Sequence, residues 1–284
     1  MLANGKKTLL PLFAVLSLPL VAGAALPGAA EPAGLPELVR IEESSITYRL
    51  PGEYLVGRTA TNAPLEKISL TRPFEIMRRQ VTAGEYGRCV EAGGCLALDA
   101  PQAADMPVVG INWHDAVAYA AWFSRETGET WRLPTDREWS LAAGSRYRDD
   151  ALTDIADAQD PSRRWIALYE AETARGADVD PTPRPVGHFG SNEHGLLDMG
   201  GNVWEWTDSC YLRHRFDPVT DAESVVENCG IRIAQGSHRA YMTTFFRDPK
   251  AGACSVGIPP ANLGIRLVRD EPGALQVLKT WIGL

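Results

Sequence analysis

Histidine and cysteine are scarce in this chain, and no run of lysine or arginine occurs in it. Only five His and five Cys fall among its 284 residues. The histidines, at 114, 188, 194, 214 and 238, do not fall at metal-ligand spacings, so a zinc or copper cage built mainly from imidazoles is not expected. Also missing are a phosphate-cradling glycine loop with its lysine, a His-Glu-x-x-His, a Cys-x-x-Cys pair and a nucleophile elbow. A formal charge of -8 without a basic stretch gives no electrostatic ground for binding nucleic acid or an anionic membrane surface. Beyond the N-terminal region no apolar run is long enough to cross a bilayer.

What is present begins at the N-terminus. Lys6 and Lys7 precede an almost wholly apolar run, Leu9 to Leu20, and Ala22 and Ala24 follow as small residues at cleavage spacing. This is the three-part pattern of a secretory signal peptide, assigned to residues 1–24. Residues 25–44, rich in Ala, Pro, Glu and Gly, read as a flexible lead-in, and 45–284 as a single domain. An exported chain folds in an oxidising compartment, where cysteines pair by default. Proximity in sequence pairs Cys89 with Cys95 across a Gly-Gly turn, and Cys210 with Cys229 across a polar loop. Cys254 is left over, as a buried thiol, a reactive one or a partner in another pairing.

Strands are expected on both sides of Pro51-Gly52 between Ile46 and Arg58, across Leu65 to Met77, at Pro107 to Ile111 and at Leu263 to Val268. Thr82 with Glu85, and Thr135 with Glu138, have capping-box spacing and open helices that run to about Ala92 and to Ala143. A third helix is placed at Ala116 to Glu126, opened by Asp115 and stopped by Gly128. His114, just ahead of it, reads as a capping or packing residue. Residues 146–185 are polar and read as a long loop, and a weak amphipathic tail covers 273–284.

Two segments carry chemistry. In Gly195 to Trp206, Asp198 and Glu205 offer carboxylates with backbone carbonyls of Gly-rich turns between them. Calcium takes about six to eight such oxygens, and the competing reading is that both carboxylates cap turns. In Gly236 to Arg247, Ser237, His238, Arg239 and Tyr241 bring a hydroxyl, an imidazole, a guanidinium and a phenol together. Strand alternation puts His238 and Ala240 on one face and Ser237, Arg239 and Tyr241 on the other.

Six segments in order resemble the sulfatase-modifying factor family, founded on the formylglycine-generating enzyme. They are Val81 to Tyr86 with Ala92-Gly-Gly94, Pro107 to Ala116, Trp131 to Trp139, Gly201 to Trp206, Gln235 to Ser237, and Asn262 to Val268. The resemblance implies an α+β, C-type-lectin-like fold, irregular and with little regular secondary structure. It implies one structural calcium on the side chains of Asp198 and Glu205 and the carbonyls of Gly201 and Val203. A second calcium site would fall between about residues 165 and 180. The two copper-binding cysteines of the family fall on Ala240 and Phe245 here. Copper(I) needs soft thiolates, so copper-dependent formylglycine generation is not expected.

Exported members without those cysteines include a periplasmic branch that completes the chromophore of the siderophore pyoverdine and an accessory protein of copper nitrite reductase. Likeness to the first branch implies a periplasmic protein acting on a ferribactin- or dihydropyoverdine-like peptide, alone or with other maturation proteins. Trp204 and Ser237 would then bind the substrate, and His238, Arg239 and Tyr241 would serve the oxidation. The alternative is a lectin-like scaffold that binds the precursor for another enzyme. The redox cofactor is not implied.

Overall fold

The computed structural model describes residues 35–149, 182–249 and 262–270, with a few isolated positions besides. The signal segment, the second calcium region, Cys254 and the tail lie outside the described residues. Ala33–Leu284 forms one compact unit.

In chain order the elements are β1 (Leu38–Ile41), β2 (Ser45–Arg49), β3 (Glu53–Val56), β4 (Thr59–Thr61), β5 (Leu65–Ser69), β6 (Phe74–Met77), α1 (Ala83–Glu91), α2 (Trp113–Thr127), β7 (Trp131–Arg132), α3 (Asp136–Ala143), β8 (Trp204–Phe216), β9 (Glu223–Gln235), β10 (Arg239–Thr243), β11 (Leu263–Gly264) and β12 (Val268–Arg269). One sheet runs β1-β6-β12-β7 and a second β10-β9-β8-β3-β4, with β11 paired to β8; β2 and β5 form a separate pair. The fold is α+β.

The helices are set by their caps. Thr82 and Thr135 accept from the backbone N–H of Glu85 and Glu138, which reach back to the cap N–H, as the spacing predicts. α2 starts earlier than expected, at Trp113, because Asn112 is the cap and Asp115 is the residue that reaches back. Gly128, in the left-handed region at φ 72, closes it. His114 therefore lies in the first turn and not ahead of the helix.

Tertiary pairing moves other boundaries. β1 sits inside the stretch read as lead-in, because its residues pair with β6 from Leu38↔Met77 to Ile41↔Phe74. β2 and β3 do not pair with each other: β2 joins β5, and β3 lies parallel to β8. Pro107 to Ile111 forms a single bridge to Thr82 and no strand. The Gln102 side chain explains this, because it occupies both the N–H and the C=O of Val109. The expected strand from Leu263 to Val268 is broken into β11 and β12, with Arg266 turned into the interior between them.

Two apolar clusters fill the unit. One packs Tyr86, Tyr119, Phe123, Trp131 and Trp206 around α1 and α2, and the other packs Ile41, Ile76, Trp139, Leu196 and Met199 against α3. Both disulfides form as expected, Cys89–Cys95 at the end of α1 and Cys210–Cys229 across the β8–β9 ribbon. Two disulfides fit an oxidising, extracytoplasmic compartment, and among the described residues no helix is long and apolar enough to cross a membrane.

Two outcomes test these elements. Asn112→Ala removes the α2 cap and should lower stability by about 1 kcal/mol in urea unfolding, with Asn112→Ser near wild type; equal midpoints for all three would contradict the assignment. Burial alone would raise the Glu138 carboxyl, but hydrogen bonds from Arg132 and Thr135 and the guanidinium charge hold it below its usual value. A depressed folded value means stability present above the unfolded carboxyl range, at about pH 4.3, and lost as pH falls through the folded value. The advantage of wild type over Glu138→Gln should therefore shrink between pH 7 and pH 3 in urea midpoints, and a growing advantage would contradict the sign.

Candidate functional site

The Gly-rich turns of residues 186–203 deliver two carboxylates to the interior. Asp198 adopts φ 57, a left-handed conformation that Asp tolerates better than most residues. Its Oδ2 and Oδ1 accept the backbone N–H of Gly187 at 2.6 Å and of Phe189 at 2.8 Å. Glu205, on β8, is 1% exposed. Its Oε1 accepts from Gln80 at 2.8 Å and from Arg266 Nη2 at 2.9 Å. Its Oε2 accepts from the Trp139 indole at 2.7 Å and from Arg266 Nε at 2.9 Å. The rest of the Arg266 guanidinium donates to the carbonyls of Met77, Arg78 and Leu197.

This geometry bears on the calcium expected at Asp198 and Glu205. A carboxylate has about four lone-pair sites, and Glu205 has all four filled by N–H donors. Its charge is balanced by the bidentate Arg266, which leaves Glu205 no lone pair for a cation. Asp198 serves as a clamp on the turn, the reading that competed with calcium from the start. Gly201 and Val203 stand in the same turn, where Gly201 N donates to Asp198 O at 3.0 Å. The donor set as arranged does not fit a calcium ion held through Glu205. The buried Gln80 Oε1 has no hydrogen bond, but one neutral oxygen does not replace a carboxylate in a shell of about six to eight.

The second segment folds as expected and performs differently. β10 pairs with β9, which places Arg239 opposite Gln235 and Ala240 opposite Ala234. Arg239 points inward with a side chain 0% exposed, and its Nη2 lies 3.1 Å from Asp136 Oδ2. The same nitrogen is 2.9 Å from the Tyr147 hydroxyl, and the guanidinium stacks over the Tyr48 ring at 5.0 Å. Asp136, the first residue of α3, also accepts from the Tyr48 hydroxyl and the Gln235 amide. Burial and then the Asp136 charge push the Tyr48 phenol far above its usual value. Arg239 is thus the counterion of a buried carboxylate.

The other expected residues divide. His238 is 6% exposed; its Nδ1 lies 2.8 Å from the Arg239 carbonyl, and its ring meets Trp204 edge-on at 5.6 Å. Trp204 donates from Nε1 to the His238 carbonyl at 3.1 Å. Its indole lies against Gly236, where an added Cβ would come 2.5 Å from Trp204 Cγ. Ser237 is exposed at this turn. Tyr241 is partly exposed, and its hydroxyl accepts from Gly52 N at 2.7 Å. Trp204, Gly236, Ser237 and His238 therefore meet at one turn, and only Ser237 and part of Trp204 face outward. Ala240 is fully buried on the core face, whereas Phe245 is 61% exposed beyond the end of β10. Among the described residues every cysteine is in a disulfide. The grouping of Cys210 and Cys229 with Glu227 is therefore not a thiolate site.

Sequence reasoning missed Tyr48, Asp136, Tyr147 and Gln235. Asp136 had a weak signal, an acid in the first turn of a helix, which also satisfies the helix dipole without any partner.

Removing Arg266 should reveal the ion pair. Arg266→Leu leaves the Glu205 charge buried and unpaired, and urea unfolding should show a loss of about 3–5 kcal/mol. A loss below about 1 kcal/mol would show that the pair is not a principal tie.

A family model described as the sulfatase-modifying factor enzyme 1-like domain matches residues 26–271. The formylglycine-generating enzyme of Mycobacterium tuberculosis is 39% identical over 130 residues, covering 44% of this chain and 40% of that one. A mouse relative named inactive C-alpha-formylglycine-generating enzyme 2 is 34% identical over 169 residues, 57% of this chain and 48% of its own length. The matches thus span less than half the length of those relatives. The solved structure of PvdO from Pseudomonas aeruginosa superposes with a TM-score of 0.52 at 22% identity, over 83% of this chain and 95% of that one. The chain belongs to the sulfatase-modifying factor (formylglycine-generating enzyme-like) family.

Proposed function

We propose that this chain is a periplasmic, PvdO-like maturation protein that oxidises a dihydropyoverdine-type peptide precursor to its conjugated chromophore. The observation that carries the reading is the family fold with Ala240 buried and Phe245 exposed, where the resemblance would put the two copper-binding thiolates. Alanine and phenylalanine offer no thiolate for copper(I), which supports a role on the same scaffold other than formylglycine generation. Likeness to PvdO over nearly the whole of that chain supports the same branch.

In this reading the precursor lies over the turn at Gly236. The exposed part of Trp204 supplies an apolar wall for the catechol ring, and Ser237 donates to or accepts from it. His238, behind Trp204, positions the indole. Tyr241 accepts a hydrogen bond from Gly52. Two electrons and two protons leave the ring, and dioxygen receives them. The reading requires no metal at Asp198 and Glu205.

A second reading is favoured by the burial of Arg239 and His238, the two strongest acid-base and anion-binding groups of the segment. Here the chain binds the precursor and another protein oxidises it. Purified protein, dihydropyoverdine and air separate the two. Chromophore absorbance that rises with protein concentration, and falls at least tenfold with Trp204→Ala, is the outcome expected of the oxidase. Saturable binding without colour supports the binding role, and neither binding nor colour overturns the maturation reading.

A further inference from the structure

A cavity of about 450 Å³ opens beside β2, and Ser45, Thr47, Ser145, Tyr147, Glu193 and His194 contribute to its lining. One wall is the edge of a strand. β2 pairs with β5 alone. The flanking bonds Leu70 N to Ser44 O and Leu50 N to Pro64 O fix which residues face β5. With the register Ser45↔Ser69 to Arg49↔Leu65, the even-numbered residues exchange the ladder bonds. Backbone N–H and C=O at Ser45 and Thr47 then point away from β5, towards the cavity. Among the described residues neither has a backbone partner on that side.

Open strand edges in natural proteins are blunted by lysine, proline, bulges or covering loops. This one presents Ser45 and Thr47, both exposed and neither charged nor proline, beside a cavity. Across from it stand Tyr147, whose hydroxyl is tied to Arg239, and Glu193. The Glu193 carboxylate accepts from Ser145 N at 2.6 Å and from Ser145 Oγ at 2.9 Å. Burial, the largest single influence, opposes its charge, but the hydrogen bonds from Ser145 and from its own backbone N–H, with the nearby His194, together hold the carboxyl below its usual value. Gly144, at φ 55 and ψ -123, supports this wall, because a Cβ there would collide with the Glu193 carboxylate.

We propose that the open edge of β2 is a docking site for an extended peptide that adds as a strand, with a lysine- or ornithine-like cationic side chain directed to Glu193. Main-chain bonds to Ser45 and Thr47 would supply the strand addition, and the carboxylate would supply the charge preference. A cavity of this size lies within the range of about 300–1,000 Å³ that holds small ligands. The proposal accords with a peptide precursor but does not rest on it, since binding is read without turnover.

The probe is a fluorescein-labelled, C-amidated Val-Thr-Lys-Thr-Val peptide, compared with its Glu-for-Lys counterpart and with a copy N-methylated at alternate amides. Fluorescence anisotropy should show saturable binding of the lysine peptide. The glutamate and N-methylated peptides should bind at least tenfold more weakly. Thr47→Pro deletes only an outward N–H, keeps the β2–β5 ladder bonds and should weaken binding by at least tenfold. Glu193→Gln should abolish the preference for lysine. Equal binding of the three peptides overturns the proposal, as does no binding up to millimolar peptide. A concentration-dependent dimer that Thr47→Pro dissolves would also overturn it, because a second copy would then cover the edge.

Discussion

The bidentate pair between Glu205 and Arg266 ties together parts of the chain that regular secondary structure leaves separate. Glu205 stands on β8, Arg266 on the link between β11 and β12, and Gln80 and Trp139 bring in the segment before α1 and helix α3. Through Met77, Arg78 and Leu197 the guanidinium also holds the end of β6 and the Gly-rich turns. Two charges removed from water cost several kcal/mol each unless every lone pair and every donor is met. Here they are met, so the pair fixes a unique arrangement of these six segments. In a fold with short strands and long connections, that constraint replaces what a larger sheet would supply.

A second ionic centre lies on the other side of β9. Asp136 gathers Tyr48, Gln235 and Arg239, and Arg239 carries the contact on to Tyr147. Buried carboxylates in such settings are costly to leave unpaired, which explains why the guanidinium turns inward and not towards a substrate. The consequence for function is a shift outward. On the proposed reading, substrate contact at the Gly236 turn is left to Trp204 and Ser237. Tyr147 meanwhile forms a boundary between this buried centre and the cavity beside β2.

Local rules made much of this legible in the sequence. Thr82 with Glu85 and Thr135 with Glu138 announced their helices, because a cap needs only residues three apart. The two disulfides followed from neighbouring cysteines. What failed depended on distant partners. The Asp115 carboxylate gave the same local signal as a cap, although Asn112 held that place. Pro107 to Ile111 has the composition of a strand, yet Gln102 takes the hydrogen bonds a neighbouring strand would need. Asp198 and Glu205 have the residue types of a calcium loop, but the donors that fill them come from positions 80, 139, 187, 189 and 266. Arg239 lies on the strand face that alternation assigned to it. Alternation does not say whether that face meets solvent or Asp136.

The central claim is that Arg266, and not a metal ion, neutralises Glu205. A crystal structure grown in millimolar calcium tests it most directly. The account predicts the Glu205 carboxylate still bidentate on Arg266, with no ion on it. An ion bound by Glu205, Asp198 and the Gly201 and Val203 carbonyls at about 2.3–2.6 Å would contradict it.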